Sequence, residues 1–190
     1  QKQLTTAISL GRAMNDMQVE LQVAAGGAEF LKDTFMEMGD DGTFEMQKEA
    51  VIGLNESMSN FSSLNQTQRT QLAEQQVLFS RLGVAADQTG KVMEEAMRTM
   101  GTSMEGAMDV QLELAGAARE LGIPAGKIMD GFASAMPDLA KFGKGATKEF
   151  IRLQKIAKKT GIGVDKLMSA MGKFDTIDGA AEAAANLNSV

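Results

Sequence analysis

Two stretches of this sequence, ARELGIPAGKIM at residues 118–129 and AKKTGIGVDKLM at residues 157–168, decide how the chain folds. In each, an amphipathic segment ends at a glycine, an apolar residue follows, and a Lys with two apolar residues comes a few positions later. A glycine just past a helix adopts the left-handed conformation without a Cβ clash, and the apolar residue after it folds back onto the last turn. The pattern therefore predicts a helix, a tight turn and a second helix.

The sequence predicts the same turn a third time, at Gly83. The glycines Gly83, Gly122 and Gly161 are equally spaced along the sequence, with a period of 39. The Lys and its apolar pair also recur after the first turn, at residues 91–93, shifted by three positions. Recurrence at a fixed interval is typical of stacked helical hairpins. We expect residues 77–190 to form helical-hairpin repeats with these three glycines at the turns.

Two further signals mark where helices begin in this region. Thr102 and Glu105 have the spacing of a capping box for the helix that ends at Leu121. Pro124 suits the first turn of the helix that follows.

Residues 1–76 have a different pattern, which predicts long helices with coiled-coil character. Every core position of a heptad frame over residues 7–38 is apolar, a spacing of 3.5 residues that continues for more than four heptads. The alternative is an amphipathic helix on the core of its own domain, and the adjacent Gly26 and Gly27 weaken an unbroken helix. The residues that we expect to form an oligomer seam are Leu10, Met14, Met17, Leu21, Leu31 and Phe35.

The same spacing continues from Phe44 to Phe61 and then meets Asn65 and Gln68. Buried amides can fix the register of an assembly. The polar composition of residues 59–71 is also that of a loop between two helices, and it slightly favours the loop.

The composition excludes most enzyme chemistry. The chain has no Cys, His, Trp or Tyr, so thiolate sites, imidazole sites and His-based triads cannot form. Two acidic pairs remain, Glu94 with Glu95 and Asp175 with Asp178, but consecutive residues diverge around a helix and the second pair is typical of a helix start. We expect no enzyme, and no catalytic, cofactor-binding or metal-binding residues. We also expect no membrane contact in this segment, since no run of eighteen apolar residues occurs.

Positive charge is concentrated near the end of the chain. Nine basic and two acidic residues lie between Lys141 and Lys173, a net charge of +7 in a chain whose net charge is −6. An acidic protein partner, the acidic part of the same chain or phosphates would each attract such a segment. The lack of Trp, Tyr and His for base stacking disfavours nucleic acid. The residues that we expect to form the basic contact face are Lys148, Lys155, Lys158 and Lys159.

The stretches ELGIPAGKIMDGFASA, residues 120–135, and KKTGIGVDKLMSAMGKFDTIDGAAEAAANLN, residues 158–188, resemble the helical-hairpin segments of tail tape measure proteins from long-tailed bacteriophages. The resemblance extends over residues 77–190 and rests on the rhythm of glycine turns and helices. It implies a structural protein of the virion that lies in the tail tube, contacts the hub or baseplate and determines tail length during assembly in the host cytoplasm. It also implies a homo-oligomer of several parallel copies.

Two other functions stay open from the residues alone. One is a helical-repeat adaptor that binds a protein partner, and the other is a nucleic-acid-associated helical protein that uses the basic residues 141–173. All three share an all-α fold. Because the chain begins at Gln1 and ends in mid-pattern, we expect it to be a fragment of a longer protein.

Overall fold

The structure, a computed structural model, describes Arg12, Thr34 and residues 44–174. Every regular element in this part of the chain is helical, which confirms the all-α prediction. The chain divides into two compact units, Gln1–Glu94 and Glu95–Val190. The predicted oligomer seam, from Leu10 to Phe35, lies outside the described residues.

The helix starts recur along the chain at a fixed interval. Helices α3, α5 and α7 begin at residues 86, 125 and 164, so their starts have the same period as the three turn glycines. Short 3-10 segments lie at Phe61–Ser63 and Ala140–Gly145. The predicted change of organisation at residue 77 falls inside α2, so it does not coincide with the division into units. The helices are α1 (Phe44–Ser57), α2 (Gln66–Ser80), α3 (Ala86–Met100), α4 (Met104–Leu121), α5 (Ala125–Leu139), α6 (Ala146–Thr160) and α7 (Val164–Phe174).

In the first unit, α1 packs against α2. Val51, Leu54 and Phe61, which continue the 3.5-residue spacing, are fully buried within the chain. Burial of an apolar side chain stabilises a fold by about 1.5–3 kcal/mol. This part of the apolar spacing is therefore satisfied inside one chain.

Asn65 and Gln68 begin a helix, and the polar segment around them is in part a loop. The Asn65 side chain accepts a hydrogen bond from the Gln68 N–H at 2.9 Å, and Gln68 Oε1 accepts one from the Asn65 N–H at 3.2 Å. This reciprocal pair is a capping box. The loop ends there, and residues 66–71 already belong to α2.

The buried Arg69 holds this loop in place. Its guanidinium donates hydrogen bonds to the carbonyl oxygens of Ser62 and Leu64 and to Thr34 Oγ1, the last at 3.1 Å. A buried cation is tolerated where its donors find acceptors. Arg69 thus ties the start of α2 to a helical residue of the first forty.

The three turn glycines all have positive φ angles, 74° at Gly83, 64° at Gly122 and 73° at Gly161. After Gly122, the Ile123 N–H reaches back to the Ala118 carbonyl at 3.0 Å, the bond that defines a Schellman motif. The turn at Gly83 has the same bond pattern, and Gly161 makes a single bond to the last turn of α6. Gly122 and Gly161 are the C-caps of α4 and α6, and Gly83 lies in the turn that follows the C-cap of α2. The next helix begins three residues after each glycine.

Helix α4 begins one residue later than the sequence predicts. Ser103 is its N-cap, with Oγ accepting a hydrogen bond from the Gly106 N–H at 3.2 Å. The Thr102 hydroxyl donates instead to the Ser103 carbonyl at 2.8 Å. The predicted capping box of Thr102 and Glu105 is therefore wrong, because the adjacent hydroxyl has the extended backbone that a cap requires.

The second unit is built on three helices, α4, α5 and α6, which pack pairwise, with α7 against α5 and α6. Phe132 and Phe150 meet edge to face at its centre, with ring centroids 5.4 Å apart and an interplanar angle of 72°. Both rings are fully buried, as are Met129 and Met136. Met129 and Met136 lie on α5 three residues before and four residues after Phe132, which places all three on the buried side of that helix. Flexible methionine side chains adapt to irregular gaps in a core.

Candidate interaction surface

The four lysines of the predicted basic face lie on α6, but they do not share one role. Lys148, Lys155 and Lys159 follow one line along the helix, and Arg152 lies on the same line. Their spacing of four, three and four residues keeps them on one side of a helix with 3.6 residues per turn. We call Lys148, Arg152, Lys155 and Lys159 the basic stripe.

Lys158 leaves this line and binds the end of α4. Its Nζ donates a hydrogen bond of 2.7 Å to the Leu121 carbonyl, which belongs to the last turn of that helix. A cation at a helix C-terminus is stabilised by the unpaired carbonyls and by the helix dipole. Lys158 is therefore engaged inside the chain.

Two members of the basic stripe have acidic partners in the same chain. Lys155 Nζ lies 3.0 Å from Glu120 Oε1, and the Arg152 guanidinium donates to both carboxylate oxygens of Glu149. Hydrogen bonding to Arg152, together with the positive charge of Arg152, lowers the pKa of Glu149. In the same way, hydrogen bonding to Glu149 and its negative charge raise the pKa of Arg152. Lys148 and Lys159 are exposed and have no acidic partner in the described part of the chain.

An acidic line that was not predicted from the sequence lies on the outward side of α4. We call Glu105, Asp109, Glu113 and Glu120 the acidic stripe; all four side chains are exposed. The signal was present in the sequence, because residues 105, 109 and 113 are four apart. Leu112, which is 54% exposed, lies among them, and Arg119 is the one cation on this side of α4.

Helices α4 and α6 run in the same direction. Near their starts, Thr147 Oγ1 lies 3.9 Å from Met100 Sδ, four residues before α4. At their ends, Lys158 binds the Leu121 carbonyl. The basic and acidic stripes are therefore parallel lines of opposite charge.

A groove of about 290 Å³ lies between α7 and the pair α5 and α6. Gly131, Phe150, Val164 and Met168 line it with other residues, and Asp138 and Asp165 stand at its walls. Within residues 44–174 no three acidic side chains cluster in a way that would hold a metal ion.

The acidic pairs considered from the sequence have structural partners where they are described. Glu94 Oε1 accepts hydrogen bonds of 2.6 Å from both the N–H and the hydroxyl of Ser59, and Glu95 binds Arg98. Asp175 and Asp178 lie outside the described residues.

Comparison with protein families, curated proteins and solved structures found no match to this chain. Among the described helices none has the length and apolar content that crossing a membrane requires.

Proposed function

We propose that this chain is a structural protein of a phage tail of the tape measure type. In this role it lies in the tail tube in several parallel copies, contacts the hub or baseplate and helps to set tail length during assembly in the host cytoplasm. It acts by packing against other chains and catalyses no reaction. The resemblance of residues 77–190 to such proteins gives the proposal its starting point.

The observation that supports the proposal is the equal spacing of three helix starts along the chain. Helices α3, α5 and α7 begin at equal intervals, and a left-handed glycine precedes each by three residues. A protein built from a recurring helical unit can grow along one dimension, because each unit contacts mainly its neighbours. This supports a structural protein whose physical length increases with the number of residues in the chain.

The pattern of residues 7–38 supports the same function from the sequence. A continuous helix advances about 1.5 Å per residue, so the number of residues in a long helical segment sets a physical length directly. An apolar line with 3.5-residue spacing is covered when sister helices wind around it. The lines of opposite charge on α4 and α6 also suit side-by-side copies.

The test is a change in tail length in the virus that encodes the chain. Insertion of four heptads that continue the apolar spacing after Leu31 should lengthen the tail by about 42 Å, at about 1.5 Å per residue. Deletion of two heptads from the same segment should shorten it by about 21 Å. Electron microscopy of purified virions measures both, with immunogold labelling to locate the chain.

A matched control replaces four heptads of the same region by an equal number of residues and keeps the apolar spacing. Its tails should keep their original length. Tails of unchanged length in the insertion variant, or purified virions that lack the protein, would contradict the proposed function.

A further inference from the structure

The second unit carries two charged lines that do not neutralise each other within one chain. The acidic stripe on α4 and the basic stripe on α6 are joined by one ion pair in the described residues, between Glu120 and Lys155. Asp109 and Glu113 on one stripe, and Lys148 and Lys159 on the other, have no ion pair in that part of the chain. The charges of these four residues therefore face solvent.

The packing of the helices explains why the stripes stay apart. Each of α4, α5 and α6 contacts the other two and turns its apolar side to the shared core. The stripes are on the sides opposite that core, so the outward face of α6 cannot lie along the outward face of α4 in the same copy. Only the neighbouring edges of the two helices meet, at the end where Lys155 reaches Glu120.

We propose that the acidic stripe of one copy docks on the basic stripe of a second copy. The basic stripe has one charge per helical turn, and the acidic stripe has one per turn from Glu105 to Glu113 and its next charge two turns later at Glu120. Charges on the two stripes can therefore align in register over these turns. Because α4 and α6 run in the same direction, side-by-side docking of these two helices in parallel register leaves the two copies parallel. Leu112, an exposed apolar residue in the acidic stripe, is covered in this contact.

Because the second unit carries both an acidic and a basic stripe, the partner that fits it is a second copy of the chain. A basic stripe alone fits any polyanion, nucleic acid included. A basic and an acidic stripe of matching pitch fit a partner that carries the same two stripes. The contact is head to tail, so it leaves one free stripe of each sign and continues to a third copy or closes into a ring. This contact between stripes does not depend on association of the first forty residues.

Charge reversal on each stripe tests the contact in the full chain. Lys148→Glu with Lys159→Glu reverses the charge at two of the four positions of the basic stripe, and Asp109→Lys with Glu113→Lys does the same for the acidic stripe; these variants are called the reversed chains. Each reversed chain now opposes like charges, so its association constant at low salt should fall about tenfold or more. Sedimentation velocity measures the association at low salt, about 50 mM, and at high salt, about 500 mM, where exposed charges are largely screened.

Lys127→Glu with Lys166→Glu is the matched control for the basic-stripe variant, since it makes the same charge change at exposed sites on α5 and α7. It should associate like the unchanged chain. A chain with both stripes reversed keeps the original net charge and should regain association. An equimolar mixture of the two singly reversed chains should also regain it, because the reversed stripe of one then complements the reversed stripe of the other.

The salt series separates this contact from the proposed N-terminal seam. Screening weakens contacts between exposed charges, whereas apolar contacts persist at high salt. Failure of the stripe contact therefore leaves the tail-length test of the proposed function unaffected.

Three results would overturn the proposal. They are wild-type association that salt does not weaken, an equal loss in the α5 and α7 control, and a mixture of the reversed chains that stays dissociated. Binding of DNA that is lost only with the reversed basic stripe, together with normal self-association, would assign that stripe to nucleic acid instead.

Discussion

Replacement of glycine by alanine should change the free energy of unfolding in opposite directions at two positions of α4, Gly116 and Gly122. Gly122 closes α4 with φ of 64°, whereas Gly116 has helical conformation inside it. A Cβ added at either position meets nothing within 4 Å. Replacement by Ala therefore isolates the backbone contribution, because no side-chain clash enters at either site.

At Gly122 the left-handed conformation costs an L-residue about 1–2 kcal/mol, so Gly122→Ala should lower the free energy of unfolding by that amount. At Gly116 the change removes the entropic cost of a helical glycine, so Gly116→Ala should raise it by about 0.5–1 kcal/mol. The two variants should thus differ by about 1.5–3 kcal/mol. In a unit of this size, each kcal/mol corresponds to about 4–8 °C in Tm.

Far-UV circular dichroism during urea unfolding measures both variants, since the chain has no Trp or Tyr for fluorescence. Hydrogen exchange read by mass spectrometry assigns the change to peptides of α4. Equal stabilities of the two variants, or a gain in stability from Gly122→Ala, would refute the role given to the left-handed turn.

Three further experiments probe the described residues. Asn65→Ala should lower the stability of the first unit by about 1 kcal/mol through loss of the N-cap, measured by urea unfolding; no loss would argue against the capping box. Phe132→Leu and Phe150→Leu in a double-mutant cycle should show a coupling energy of about 0.5–1.5 kcal/mol from the edge-to-face pair, and strictly additive losses would contradict it. Because Arg152 lowers the pKa of Glu149, the pair should stabilise the fold above the usual pKa of Glu and lose this effect as pH falls through the lowered pKa. The stability difference between wild type and Glu149→Gln should vanish at low pH; a difference that grows there would contradict this.

The features set by local rules were predicted well from the sequence. Gly83, Gly122 and Gly161 are left-handed because a helix end that is followed by an apolar residue needs a residue without Cβ. A few neighbouring residues are enough to predict such a turn. Helical secondary structure followed from composition and periodicity for the same reason. The equal spacing of the glycines also anticipated the equal spacing of the helix starts.

Features that depend on a shift of one residue or on distant contacts were missed. Thr102 and Ser103 both have cap hydroxyls, and only the backbone conformation at Ser103 selects it. Gln76 and Thr89 share a buried hydrogen bond in the first unit, and Gln76 also donates to the Val84 carbonyl at 3.1 Å. No pattern in the sequence links these two residues on different helices, so this network becomes visible only when the helices are placed.

The acidic stripe was missed for another reason. Its residues contribute to the net charge of the chain, but only a comparison of the charge periodicity along α4 with that along α6 shows that they form a line. Such a comparison needs only the sequence and the assumption of a helix. Which way the two lines face, and that they are parallel, depends on contacts such as that of Lys158 with Leu121.

The equal interval between the starts of α3, α5 and α7 has a genetic meaning as well. A crossover between two equivalent positions one period apart would duplicate or remove a segment that holds two helices and one of the three left-handed turn glycines. At the new junction, each helix would be followed by the same kind of turn as before. No new loop conformation would therefore be required. A gene of this form can change the size of its product in whole steps while each local structure stays intact.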